Sequence, residues 1–189
     1  MNQHREAGFS VVELMIVMAV GVTLAAMAMM SSGAALSAFK ARGVISKVQA
    51  TLVQARELAI SQQRDIQVVF VGTNEIDLVR VELPLSSGTT TTLSKTLFEG
   101  GMTFTKVTGL ADPTQDVWGG TTGAIAFSPA ANVQFRAGTG VLMDSATLQP
   151  VSGRVFVAVN GKKETAGMIS VFGPTGRVRS YHWEGAWVW

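Results

Sequence analysis

Between Leu14 and Phe39 the chain runs for 26 residues without one charged side chain. Wound as an α-helix at ~1.5 Å per residue, this run measures about 39 Å, more than the ~30 Å hydrocarbon core of a bilayer. A secretory signal has a shorter apolar core of about 7–15 residues. Even so, Ala26-Met27-Ala28 and Ala35-Leu36-Ser37-Ala38 have the small-residue spacing at which such signals are cut, so a soluble secreted β-protein is one alternative reading. One acid, Glu13, stands directly before the run. A carboxylate at mid-bilayer costs ~2.5–3.5 kcal/mol on insertion scales, and less near the interface. The simplest accommodation is a helix N-terminus, where the macrodipole favours negative charge.

Beyond Phe39 the pattern changes without a break. Ala41, Val44, Ile45, Val48, Leu52, Ala55 and Ala59 recur every three or four residues and predict an apolar stripe on one helical face. Gly43 weakens this helix by ~1 kcal/mol relative to alanine but does not end it. One helix from Phe9 to Gln63 is expected. Within the uncharged run, Gly21 and Ala25 are small residues four apart, a spacing that allows close helix approach in lipid. Five of the nine methionines lie there and read as adaptable apolar filler.

From Asp65 the period falls to two. Strands are predicted over residues 65–71, 76–83, 102–107, 125–127, 133–135, 154–159, 168–172 and 177–181. Asn160-Gly161 and Gly173-Pro174-Thr175-Gly176 mark tight connections, and Pro84 to Ser94 reads as a polar loop. The expected fold is therefore α+β: a long N-terminal helical stalk, its first half membrane-spanning, packed on a C-terminal antiparallel sheet or sandwich-like domain.

The N-terminal features have a known counterpart. Eight mostly polar residues, a Gly8-Phe9 junction, an acid five residues after that glycine and a long apolar helix together resemble the start of type IV pilins and pseudopilins. The resemblance implies cleavage between Gly8 and Phe9 by a prepilin peptidase on the cytoplasmic side, and N-methylation of Phe9. It also implies that Glu13 docks subunits by pairing with the N-terminal amine of a neighbour. The expected organisation is a leader over 1–8, a transmembrane assembly helix over 9–39, its amphipathic continuation over 40–64 and a periplasmic β-rich domain over 65–189. The expected partners are other pilin subunits, the peptidase, an inner-membrane assembly platform and membrane lipid. A count of Lys and Arg around the run would give the opposite orientation, because Arg5 is offset by Glu6 while Lys40, Arg42 and Lys47 lie beyond it. The periplasmic placement thus comes from the resemblance. Many major pilins carry a kinking proline in this helix, and this run has none.

The ending Met168-Ile169-Ser170-Val171-Phe172-Gly173-Pro174-Thr175-Gly176-Arg177-Val178-Arg179 is similar to the last two strands of the GspH/FimT branch of minor pilins and pseudopilins. That branch implies a low-copy structural subunit, not an enzyme, in a type II secretion pseudopilus or a type IV pilus. Some members with such endings bind DNA during uptake, which makes Arg177 and Arg179 candidate phosphate contacts. Two residues apart on a strand they share a face, and Lys162, Lys163 and His182 are expected beside them. The competing reading is that the arginines face solvent or pair with acids of a neighbouring subunit.

Little else points to chemistry. There are no cysteines and hence no disulfide or thiolate. Outside the leader, which holds His4, the chain has the single histidine His182, and neither a metal set nor a nucleophile–histidine pair is evident, so no metal or other cofactor is expected. Asp112 and Asp116, four residues apart in a turn, could hold a cation between them, but such a pair reads first as solvated carboxylates. The net charge of +2 hides an alternation: about +4 over residues 40–64 and about −4 over 65–131. Such blocks suit contacts between like subunits better than general polyanion binding. The Trp183 to Trp189 tail, with three tryptophans, is either packed on the domain or a partner surface.

Overall fold

The computed structural model describes residues 10–83, 88–114, 116, 118, 123–128 and 132–189, and for 30–35 the backbone alone. Helix α1 spans Val11–Gln62, within two residues of the expected bounds. The molecule divides into two compact units, residues 1–36 and 37–189.

From Val11 onward the first unit is helix. Val11–Met29 has a mean hydropathy of 2.3, is long enough to cross a membrane, and buries none of its side chains within the chain. Thr23 returns its hydroxyl to the Val20 carbonyl at 2.8 Å, which leaves no free donor in an apolar surround.

In the second unit all seven residues of the predicted stripe are buried, from Ala41 at 2% exposed to Ala59 at 0%. They pack on two antiparallel sheets. The first has the order β3-β2-β1-β6-β7, with β1 Ile66–Val71, β2 Glu75–Val81, β3 Thr90–Leu97, β6 Val133–Phe135 and β7 Leu142–Asp144. The second has the order β11-β10-β9-β8-β4, with β4 Thr103–Phe104, β8 Ser152–Ala158, β9 Gly167–Phe172, β10 Arg177–Trp183 and β11 Trp187–Val188. Strand β5, Ile125–Ser128, shares the β4 edge of β8. One core joins the helix stripe to Ile66, Ile76, Leu78, Val133 and Phe135 of the first sheet and to Val155, Val157, Ile169 and Val171 of the second. The α+β arrangement is pilin-like. Helix and sheet meet closely at Gly167, since a Cβ there would collide with Ile45.

All eight predicted strands are present, with 102–107 reduced to Thr103–Phe104. Three more were not expected. The most instructive is β3, which occupies the second half of the segment read as a polar loop; residues 84–87 of that segment lie outside the described residues. Its side chains are mostly exposed and its threonines are polar, so no apolar alternation marks it. It forms because β2 offers a free edge, and β-branched threonine suits a half-exposed strand. Strand β7, Leu-Met-Asp with all three residues buried, has no apolar–polar alternation, and β11 has only two residues, too few for a period to be read.

The second sheet is covered on both faces. Odd-numbered residues of β8 and β9, Val155, Val157, Ile169 and Val171, face the core under the helix. Phe156 and Met168 point the other way, where Tyr181 and Trp187 join them, and Ala158 packs there with Val107, Ala166, Trp183 and Trp187. The tail is therefore built into the domain. Trp183 and Trp187 meet edge to face at 5.4 Å, and the Trp187 indole donates to the Ala111 carbonyl at 2.8 Å. Arg42 of α1 pairs with Glu184 and ties the tail to the helix. Of the three tail tryptophans Trp189 alone stays outside, 83% exposed, with the Arg179 guanidinium 5.7 Å from its ring.

Candidate functional site

Two regions carry the candidate residues. The first is the start of α1. Gly8 and Phe9 lie outside the described residues. Ser10 precedes the helix, its carbonyl accepting from the Leu14 amide at 3.2 Å, and Glu13 falls in the first turn. Ser10-Val11-Val12-Glu13 thus has the spacing of a capping box, with a carboxylate at the positive end of the helix dipole. Around it Val11, Val12, Leu14, Met15, Ile16 and Val17 are all at least half exposed. Local helix physics accounts for a carboxylate here. It does not account for the uncovered apolar surface, which requires lipid or other helices.

The second region is the face of β10 turned away from the helix. Arg177, Arg179 and Tyr181 share it, while Ser180 points to α1 and donates to Gln49 at 2.6 Å. Both guanidiniums converge on Asp116, at 3.8 Å from Arg177 and 4.0 Å from Arg179. The same carboxylate accepts from Ser170 Oγ at 2.7 Å and from Tyr181 OH at 2.8 Å. Its side chain is only 7% exposed. The reading of Asp116 as a solvated loop acid is therefore corrected: it is a buried hub, affordable because four donors surround it. Burial, and then the Asp116 carboxylate, raise the Tyr181 pKa above its ordinary value. Asp112 serves separately. It takes the Lys106 ammonium at 2.7 Å, which lowers its pKa, and it remains half exposed.

The expected grouping of four basic residues does not form. Phe172 pairs with Arg177 at one end of the β9–β10 ladder, and Gly167 pairs with His182 at the other. Lys162 and Lys163 lie in the connection that enters β9 at the Gly167 end, about 16 Å from Arg177 by strand rise. That connection is fixed locally: Thr165 is fully buried, accepts from the Val159 amide at 2.9 Å and donates to the Lys162 carbonyl at 2.7 Å. Lys163 instead reaches the Gly109 carbonyl at 3.4 Å, and His182 pairs with Glu184 at 3.1 Å. The register of the hairpin separates the two pairs of cations.

Gly176 opens the Gly-Arg-Val-Arg segment in the left-handed region, at φ 62°, and a Cβ there would strike the Gly140 carbonyl. Glycine is needed at this turn to bring β10 back along β9. Deeper in the same sheet Arg154 of β8 is 1% exposed, its guanidinium 5.7 Å from the Phe156 ring, and burial lowers its pKa. Neither Asp116 nor Arg154 was singled out as a site residue from sequence. The one available signal was the acidic middle segment, and the complement of its Asp116 lies within the chain, on Arg177 and Arg179. Among the described residues no three His, Cys, Asp or Glu side chains gather as a metal set.

Residues 3–29 match the prokaryotic N-terminal methylation motif, a stretch that contains Gly8, Phe9, Glu13 and the apolar start of α1. The chain is type IV pilin-like. Motif and apolar helix together indicate a pilin-like, membrane-anchored subunit. The chain matches no curated protein and no solved structure.

Proposed function

We propose that the chain is a minor pilin or pseudopilin of the GspH/FimT type. It is a low-copy structural subunit of a type II secretion pseudopilus or a type IV pilus, anchored in the inner membrane with residues 65–189 in the periplasm. The supporting observation is the methylation motif at the head of a helix that passes from an uncovered apolar segment into a stripe buried by a β domain. Processing between Gly8 and Phe9 removes the leader and frees an amine that is then methylated. Glu13 pairs with that amine on a neighbouring subunit, so the acid is neutralised only on assembly. The inner-membrane assembly platform draws the packed helices out of the lipid.

An intact-mass measurement of the mature protein tests the processing step. Loss of the first eight residues with gain of one methyl group is expected, whereas loss of about thirty residues, as from an ordinary signal peptide, would refute it. Glu13→Ala tests docking. The variant should reach the membrane at the wild-type level yet enter filaments about tenfold less, the equivalent of ~1.4 kcal/mol of pairing. Undiminished incorporation would remove Glu13 from the mechanism.

A DNA-capturing role for Arg177 and Arg179 keeps one point in its favour: both side chains are over 40% exposed and share one face of the strand. Against it, Asp116 already supplies their counter-charge, and Lys162 and Lys163 stand at the far end of the strand. The assembly reading is preferred. Salt-sensitive DNA binding abolished by Arg177→Ala with Arg179→Ala would reverse that preference.

A further inference from the structure

Lys40 and Lys47 lie seven residues apart on α1, two turns along one face. With Gly43, Val44, Glu99 and Gly100 they line a groove of about 380 Å³. Its helical wall dips at Gly43, where a Cβ would meet nothing within 4 Å. No neighbouring atom therefore requires glycine there, although glycine inside a helix is destabilising relative to alanine. What the missing side chain leaves is room. Among the described residues neither lysine has an acid within ion-pair distance. Lys47 donates to the Leu97 carbonyl at 3.0 Å, and both ammonium groups are exposed. Glu99 leaves the groove one net positive charge, which one phosphodiester neutralises.

The place of this groove along the chain suggests its ligand. Lys40 is the first charged residue after the uncharged run, and Phe39 before it is 68% exposed. An exposed apolar side chain followed by lysines, whose stems can run along apolar surface while their heads reach water, fits a passage from hydrocarbon to headgroups. Lys47 lies only ~12 Å of helix rise beyond Phe39, and helical side chains lean toward the N-terminus, back toward that boundary. We propose that the groove between Lys40 and Lys47 holds the phosphodiester of a phospholipid headgroup. The inference rests on the membrane-anchored reading above.

Native mass spectrometry of the full chain in mild detergent tests it, with phosphatidylglycerol titrated against a diacylglycerol of the same acyl chains. The wild type should retain phosphatidylglycerol in preference, by about fivefold for each lysine. The double variant Lys40→Gln/Lys47→Gln should lose the preference. Gly43→Leu, which fills the groove without altering charge and favours helix, should lower it without lowering the thermal melting of the β domain. Free inorganic phosphate at millimolar concentration should leave the lipid count unaltered; lipid loss under that competition would overturn the lipid assignment. Equal retention of the two lipids, or a preference untouched by both variants, would overturn the site. Complete extraction of the wild-type chain from membranes by alkaline carbonate would instead defeat the anchoring reading, a failure visible before any lipid is counted.

Discussion

The two halves of α1 are both rich in apolar residues and both helical, yet they treat those residues in opposite ways. In Val11–Met29 the apolar side chains point in every direction and none is buried by the chain itself. From Ala41 to Ala59 they keep to one stripe, and every member is covered. The difference lies in where charge is admitted. Lys40, Arg42, Lys47, Arg56 and Glu57 confine the second half to one buried face, whereas the first half has no side that prefers water. One half is completed by its own domain, the other by lipid or like helices.

A buried carboxylate should break this symmetry most visibly. Val48→Asp places an unpaired charge at a position with 0% exposure, and is expected to cost ~3–5 kcal/mol and erase the near-ultraviolet dichroism of the domain. Val17→Asp makes the same change where the side chain is 62% exposed. It should leave domain melting in place and lower the carbonate-resistant membrane fraction instead. Equal loss of melting temperature from both would end the distinction between the halves.

The tail offers a smaller version of the same contrast. Trp187→Ala removes a ring packed on Phe156 and Trp183 and is expected to cost ~3 kcal/mol in thermal or urea unfolding. Trp189→Ala, at an exposed ring, should stay within ~0.5 kcal/mol. Assembly lost through Trp189→Ala with stability intact would mark that ring as a subunit contact.

The smallest effect is a titration. The chain has one tyrosine, so absorbance reads Tyr181 directly. Its folded-state pKa lies above the unfolded value near 10.0, so the contribution to stability is whole below that pH and is lost as pH rises through the folded value. In Asp116→Asn the titration should move back toward the ordinary value without reaching it, since burial remains. An unchanged curve would separate Asp116 from Tyr181.

Much of the fold was legible because it is written in local periods. The stripe residues, the eight predicted strands and the membrane-length run each follow from neighbours in sequence. Strand β3 escaped because its exposed threonines carry no apolar alternation, and an edge on β2, not its own pattern, recruits it. The candidate site was half legible. That Arg177 and Arg179 share a face follows from the strand period, but Asp116 reaches them from more than sixty residues away. Lys162 and Lys163 were misplaced because hairpin register, set around Thr165, is invisible in a list of nearby cations.

By sequence alone, then, this protein has an uncharged helix that demands a non-aqueous surround, a continuation that demands a partner on one face, and a β-rich remainder to supply it. Those demands depend only on which residues repeat at which spacing. Packing settled the counter-charge of the arginine pair, the mutual packing of Trp183 and Trp187 on the sheet, and the separation of the lysines from the arginines. Each of these is a meeting of residues distant in the chain, fixed by strand order, register and the face a side chain takes, and no local repeat encodes it.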